Sequence, residues 1–90
     1  TLHEIGHAYD DIIGYYSRTP QFVAAWQSEA PHVPASDQAI LQHFLKPLPQ
    51  GPSEAFASLF AARYYRQPDR RLDALKADFP KCFSLVQSLP

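Results

Sequence analysis

The sequence predicts a mainly α-helical fold, with five to six helices around one core. Nine prolines against three glycines divide the chain into segments of helix length. Apolar residues recur at helical spacing within these segments, and no stretch alternates apolar and polar residues between turns as a strand would. With 90 residues, 46% of them hydrophobic, the chain can build one modest core. We therefore expect residues 1–90 to form a single domain, and we assign no strand.

The first predicted helix starts at the beginning of the chain, where His3 and His7 flank Glu4. Only Thr1 and Leu2 precede this motif, which is less than the turn and cap that usually open a helix. We therefore expect the chain to be the C-terminal part of a longer protein.

Two glycines and four large apolar residues define the other faces of this helix. In a helix interior, Gly6 and Gly14 would each cost about 1 kcal/mol relative to alanine, so we expect a close approach by another segment or a ligand. The predicted core face holds Ile5, Ile12, Ile13 and Tyr16.

Caps and prolines place the next two predicted helices. Thr19 caps and Pro20 opens a second helix, QFVAAWQSEA, and the two prolines that follow end it. Ser36 or Asp37 then caps a short third helix, QAILQHFL.

The second half of the chain is predicted to contain a loop and three helices. Residues 46–53, KPLPQGPS, include three prolines and a glycine and are expected to be a loop. Pro52 or Ser53 begins the helix EAFASLFAARYY, whose apolar residues follow helical spacing. Further helices are predicted at about residues 68–77 and 80–88, each opened by a proline.

Charge and composition exclude several classes of partner. The net charge of −1 gives no general attraction to nucleic acid or to anionic membranes. Residues 1–45 hold one base and five acids, whereas residues 46–90 hold seven bases and four acids. We interpret the second half as having a solvated basic face, with a binding patch as the alternative.

No apolar run approaches the roughly 20 residues of a membrane span. Cys82 cannot form an internal disulfide and is predicted to be a small buried hydrophobic residue.

The strongest functional signal is the pair His3 and His7. Residues four apart project from one face of a helix, so both imidazoles can bind one metal ion. Glu4 leans toward the same face, where a carboxylate can take a proton from a metal-bound water. Asp10 and Asp11 are candidates to accept the imidazole N–H groups, and the alternative is that they are solvated. The motif therefore predicts a Zn²⁺ site.

A catalytic zinc site needs a third protein ligand and an open position for water. Glu54 is favoured because it begins a helix whose small residues would let that helix approach the first one closely. The alternative is a glutamate that complements the helix dipole in the first turn. The other candidates are His32, His43, Glu29, Asp37, Asp69, Asp73 and Asp78, with Cys82 a weaker one.

The segment LHEIGHAYDDIIGYY resembles the helix H-E-x-G-H-x-x-D-D in the catalytic domain of anthrax lethal factor and its relatives, the ATLF-like zinc peptidases. The later segment SEAFASLFAARYYRQPDRRLDALKADFPKCFSLV is similar to that family's second helix, E-x-F-A-E-x-F, and to the proline-aromatic segment after it. The glucose-regulated metallopeptidases, with H-E-F-x-H and P-A-E-F-F-A, are similar but less close. The resemblance covers nearly the whole chain and implies a zincin-like fold of gluzincin type. It also implies that His3, His7 and Glu54 bind zinc and that Glu4 is the general base.

Two positions depart from the family's pattern. One turn after the ligand glutamate the family usually has a second acid, whereas this chain has Ser58, which orients a histidine less firmly. Seven residues before that glutamate the family has a tyrosine that steadies the oxyanion of the tetrahedral intermediate, whereas this chain has Pro47. His43 can replace that donor if the loop folds back, because a protonated imidazole also donates well. The alternative is a surface or core histidine.

The motif and the resemblance together predict a zinc metalloendopeptidase that hydrolyses a bond in a peptide or protein substrate. One alternative is a degenerate, non-catalytic module that serves as a binding or structural part of a larger toxin or effector. Another is a helical domain in which the two histidines are incidental. Because relatives of lethal factor are often toxin or effector modules, we expect secretion or delivery from a bacterium.

Overall fold

The computed structural model describes all 90 residues, and the fold is mainly helical. The α-helices are α1 (Leu2–Ile12), α2 (Pro20–Glu29), α3 (Ala35–Gln38), α4 (Gln50–Ala62), α5 (Arg70–Asp78) and α6 (Pro80–Gln87). Short 3-10 helices at Tyr16–Arg18, Ala30–His32 and Gln42–Leu45 connect the first four of them. No residue forms a strand, so the predicted fold class is confirmed. None of the helices has the length and apolar character needed to cross a membrane.

The helix α4 lies at the centre of the molecule. All of its residues from Ala55 to Ala61 are buried, and α1, α5, α6 and the 3-10 helix Gln42–Leu45 pack around it. Cys82 is fully buried in the core and unpaired, as predicted, and burial raises the pKa of its thiol. The largest fully buried apolar side chains are those of Phe22, Phe44, Phe56, Phe79, Leu41, Leu59, Leu75 and Val86.

The contact between α1 and α4 requires a glycine at position 6. A Cβ on Gly6 would meet the backbone of Ala57, so the predicted close approach is confirmed there. Gly14 behaves differently, because it follows the end of α1 with φ +85° and no atom lies near the position of a Cβ. Its left-handed conformation closes the helix, with the Gly14 and Tyr15 N–H groups donating to the carbonyls of Asp11 and Asp10.

The prediction that the isoleucines of the first helix face the core is wrong. Ile5 is 54% exposed, Ile12 80% and Ile13 38%, whereas Tyr16 packs against the core ring of Phe22. The reason is that α1 turns its small and polar face, not its most apolar one, toward α4.

The predicted third helix, QAILQHFL, does not form as one element. The helix α3 ends at Gln38, and a turn separates it from the 3-10 helix Gln42–Leu45. In this 3-10 helix Phe44 is fully buried, and its carbonyl accepts a hydrogen bond from Trp26 Nε1 at 2.8 Å. Tertiary contacts of Phe44 therefore outweigh the local helical pattern.

The predicted loop 46–53 is shorter than expected, because α4 already begins at Gln50. Pro52 is tolerated in the first turn of a helix, where its missing N–H would have had no partner within the helix. Gly51 fits beside Trp26, at a position where a Cβ would collide with that ring. The contact of Gly51 with Trp26 therefore lets α4 begin before the predicted start at Pro52 or Ser53. The sequence pattern does not reveal this contact.

Candidate metal centre

His3, His7 and Glu54 meet between α1 and α4. The Nε2 atoms of His3 and His7 lie 2.9 and 3.1 Å from the same carboxylate oxygen, Oε1 of Glu54. One ligand atom from each of the three residues lies within 4.8 Å of the other two. The two imidazole rings are 4.7 Å apart between centroids and nearly perpendicular, at 84°. We call these three side chains the metal centre.

Ser58 orients one of the two histidines. Its hydroxyl oxygen lies 2.7 Å from Nδ1 of His3, and Ser58 is only 6% exposed, one turn after Glu54 on α4. When Nε2 of His3 carries the proton and donates to Glu54, the Ser58 hydroxyl donates to Nδ1. When a metal ion occupies Nε2, the Nδ1–H group donates to Ser58 Oγ, because a hydroxyl can act in both ways.

Asp10 and Asp11 do not contact either histidine, so the interpretation of these aspartates as histidine partners is wrong. Asp10 is 1% exposed, and its carboxylate accepts hydrogen bonds from the backbone N–H and the hydroxyl of Ser17, at 3.0 and 2.6 Å. These bonds tie the end of α1 to the 3-10 helix that follows. Asp11 is exposed.

Glu4 lies next to the metal centre in sequence but outside it. Its carboxylate accepts a hydrogen bond from the nitrogen of Thr1 at 3.0 Å, and its own N–H donates to the Thr1 hydroxyl at 3.2 Å. This capping box opens α1, and the T-x-x-E spacing of Thr1 and Glu4 was the signal that could have predicted it. The side chain of Glu4 is exposed, so its carboxylate is accessible to a solvent water, as a general base must be.

Of the other candidates for the third ligand, His43 also reaches Glu54. Its Nε2 lies 3.2 Å from Oε1 of Glu54. His43 is nevertheless not one of the three residues, His3, His7 and Glu54, whose ligand atoms all lie within 4.8 Å of one another. His32 is exposed and contacts none of these residues. Two candidate acids serve as helix caps instead: Glu29 accepts from the first N–H groups of α6, and Asp69 accepts from an N–H group of α5.

The pKa shifts of His3 and Glu54 favour the protonation states that bind a metal ion. Burial lowers the pKa of His3, although its hydrogen bond with Glu54 acts in the opposite direction. Burial would raise the pKa of Glu54, but hydrogen bonds from His7 and His3 outweigh it and lower that pKa. A neutral imidazole and an ionised carboxylate are the forms that bind metal.

The distances from the two histidines to Glu54 are close to those between the ligands of a zinc ion. Zinc takes imidazole nitrogen and carboxylate oxygen at about 2.0–2.2 Å, so neighbouring ligand atoms of a tetrahedral site are about 3.3–3.5 Å apart. The separations of 2.9 and 3.1 Å between the histidines and Glu54 differ from this by only a few tenths of an ångström. If all three bound one zinc ion, a fourth position would stay open, which is typical of catalytic zinc sites.

A protein-family model matches nearly the whole chain. The family described as anthrax toxin lethal factor, N- and C-terminal domain, matches residues 1–89. No curated protein and no solved structure matches the chain. The matched range includes both helices that carry the metal centre.

Proposed function

The chain belongs to the anthrax toxin lethal factor family, and we propose that it is the zinc-binding part of a metalloendopeptidase with a zincin-like fold of gluzincin type. Family membership identifies it as a lethal-factor-like toxin module; the peptidase activity, a peptide or protein substrate, and secretion or delivery from a bacterium belong to the proposal. The observation that carries it is the convergence of His3, His7 and Glu54 within 4.8 Å.

The proposed chemistry divides between the metal and two side chains. A zinc ion in the metal centre would polarise the scissile carbonyl and lower the pKa of a bound water toward about 7. Glu4 accepts the proton of the attacking water and passes it to the leaving amine. Because Glu4 is exposed, it can exchange its hydrogen bond with Thr1 for one with this water when substrate is present.

His43 supplies the hydrogen bond that the family's tyrosine would give. Its Nε2 lies 3.2 Å from Oε1 of Glu54, and its side chain is 40% exposed, so it can face a substrate carbonyl oxygen on which negative charge develops. The neighbouring Phe44 is fully buried and holds the 3-10 helix in place against α4. These features support His43 as the oxyanion donor in a chain that has Pro47 at the tyrosine position.

A second candidate function is a non-catalytic module of a larger toxin or effector. Ser58 stands where the family usually has an acid and Pro47 where it has a tyrosine, and both changes remove groups that support catalysis. Such a chain would bind zinc without hydrolysing peptides and would serve in binding or in structure.

The variant Glu4→Gln distinguishes the two functions. Glutamine still forms a capping box, so the fold and zinc content should be unchanged, while turnover of a cleaved peptide should fall by a factor of roughly 100 or more. Zinc content and cleavage of a broad peptide library would be measured for the wild type, for Glu4→Gln and for the control Asp73→Asn, an exposed acid on α5. One zinc per chain without cleavage of any peptide by the wild type would favour the non-catalytic module. Full activity of Glu4→Gln would refute the role of Glu4.

A further inference from the structure

An open groove of about 1060 Å³ is lined in part by His43, whose Nε2 lies 3.2 Å from Oε1 of Glu54 in the metal centre. Its wall carries four side chains that are or can become cationic, and no acid lines it. These are His43, Lys46, Arg70 and Arg71, and we call this feature the basic groove.

The permanent cations of the basic groove are not neutralised by the chain itself. No carboxylate lies within 4.0 Å of the side-chain nitrogens of Lys46, Arg70 or Arg71. Asp69 precedes the two arginines directly, but its carboxylate caps α5 by accepting a hydrogen bond from Leu72 N at 2.9 Å. Three unpaired cations on one concave surface attract an anion.

Arg71 is held in place and connects the basic groove with the metal centre. Its guanidinium lies 4.8 Å from the centroid of the fully buried Phe44 ring, which restricts its movement. Arg71 and His43 also line a second cavity, of about 450 Å³, together with His3 and Ser58. A chain that crosses from one cavity to the other therefore passes the metal centre.

We propose that the basic groove is a substrate subsite for a glutamate or aspartate side chain within about two residues of the cleaved bond. An extended peptide advances about 3.3–3.6 Å per residue. Because His43 lines the groove and also lies 3.2 Å from Oε1 of Glu54, two residues of peptide are long enough to reach from the metal centre to the groove. The planar guanidinium of Arg71 is suited to pair with a carboxylate through two hydrogen bonds, and Arg70 and Lys46 add attraction. This assignment rests on the proposed peptidase function.

Matched peptides test the subsite in the zinc-loaded protein. Each peptide carries Glu, Gln or Lys at one position near the cleaved bond, and kcat/KM is measured for all three. The expected result is a preference of about tenfold for Glu over Gln at one position, with Lys cleaved more slowly than Gln. Equal cleavage of the Glu, Gln and Lys peptides at every position would overturn the subsite.

Variants locate the preference within the groove. Arg71→Gln should bring the ratio of Glu to Gln cleavage close to one, and Arg71→Lys should keep part of it. Because Arg71 packs on Phe44, the double variant Lys46→Gln/Arg70→Gln provides a second test with exposed side chains, and it should also lower the ratio. The control is Lys81→Gln, which lies on α6 beside a different cavity and should keep the wild-type ratio. An unchanged ratio in the groove variants would contradict the assignment.

A binding measurement separates failure of the subsite from failure of the peptidase function. The Glu4→Gln protein is titrated into fluorescent peptides that carry Glu at each tested position in turn, and into their Gln counterparts, and the anisotropy is measured. Tighter binding of the Glu peptide, weakened about tenfold by Arg71→Gln, would support the groove even if no peptide were cleaved. If the wild type cleaves peptides but neither binding nor cleavage distinguishes Glu from Gln, the groove fails alone.

Discussion

Ser58 holds the ring of His3 through a contact of 2.7 Å with Nδ1, at a position where the family usually has a carboxylate. An ionised carboxylate can only accept a hydrogen bond, whereas a hydroxyl can also donate one. Ser58 can therefore partner His3 in both of its neutral tautomers, although it orients the ring less firmly than an acid when a metal is bound.

Removal of the Ser58 hydroxyl should weaken zinc binding. In Ser58→Ala, Nδ1 of His3 loses its partner, and zinc affinity is expected to fall by about 10- to 100-fold. Competition with a chelator of known affinity measures the change. Ser88→Ala is the control, because the Ser88 hydroxyl donates to the carbonyl of Leu85 on α6. Wild-type affinity in Ser58→Ala would mean that this contact does not support the metal.

His43 should affect turnover but not the metal. In His43→Ala, kcat is expected to fall by roughly 10²–10³-fold with little change in KM, because an oxyanion donor acts mainly in the transition state. Zinc content should stay at one per chain. His32→Ala, in an exposed histidine, is the control. A loss of zinc would instead identify His43 as a ligand.

At the scale of the elements, the contact between α1 and α4 sets the distance between the histidines and Glu54. The Gly6→Ala variant places a methyl group against the backbone of Ala57, which cannot move aside as a flexible side chain can. We expect a loss of stability of about 1–3 kcal/mol together with weaker zinc binding. Calorimetry and metal titration measure the two effects.

The control for Gly6→Ala is Ala8→Gly, at an exposed position of the same helix. Glycine there should cost up to about 1 kcal/mol of stability through helix propensity alone and leave zinc affinity unchanged. If Gly6→Ala were as stable as the wild type and bound zinc equally well, the close approach of α1 and α4 would not be needed.

The contact between α3 and α5 should make stability depend on pH. Burial and the neighbouring carboxyl of Asp37 raise the pKa of Asp78 from 3.8 to about 6, and Oδ2 of Asp78 is buried without a hydrogen-bond partner. Because the pKa is higher in the folded chain, this contribution to stability is present in full below about pH 4 and is lost as pH rises through about 6.

Asparagine at position 78 cannot ionise, which gives a direct test of this pair. The melting temperature of Asp78→Asn relative to the wild type should be higher at about pH 7.5 than at about pH 5. Scanning calorimetry at both pH values measures the difference, with Asp73→Asn as the exposed control on α5. The same offset at both pH values would show that Asp78 does not titrate as described.

The helices were largely predictable from the sequence, whereas two of their boundaries were not. Proline positions and apolar spacing are local signals, and they placed α2, α5 and α6 close to their observed ranges. The 3-10 helix around Phe44 and the early start of α4 at Gln50 depend on packing against Trp26. Such contacts between distant segments leave no local pattern in the sequence.

At the scale of the whole molecule, the metal centre joins residues 47 and 51 positions apart, at the contact between α1 and α4. The spacing of the two histidines and the small residues around Glu54 were enough to predict that these side chains meet. The position of His43 was only a conditional expectation, because it depends on how the chain folds after α3. The outward direction of Ile5 and Ile12 was missed, because hydrophobicity alone does not reveal that α1 packs through its glycine and its polar face.

The most direct test is a crystal structure of the zinc-loaded protein with anomalous data collected at the zinc edge. One zinc per chain is expected, with Nε2 of His3, Nε2 of His7 and a carboxylate oxygen of Glu54 each at about 2.0–2.2 Å. Glu4 should not contact the ion. Zinc bound elsewhere, or bound by the two histidines while Glu54 faces away from it, would contradict the proposed metal centre.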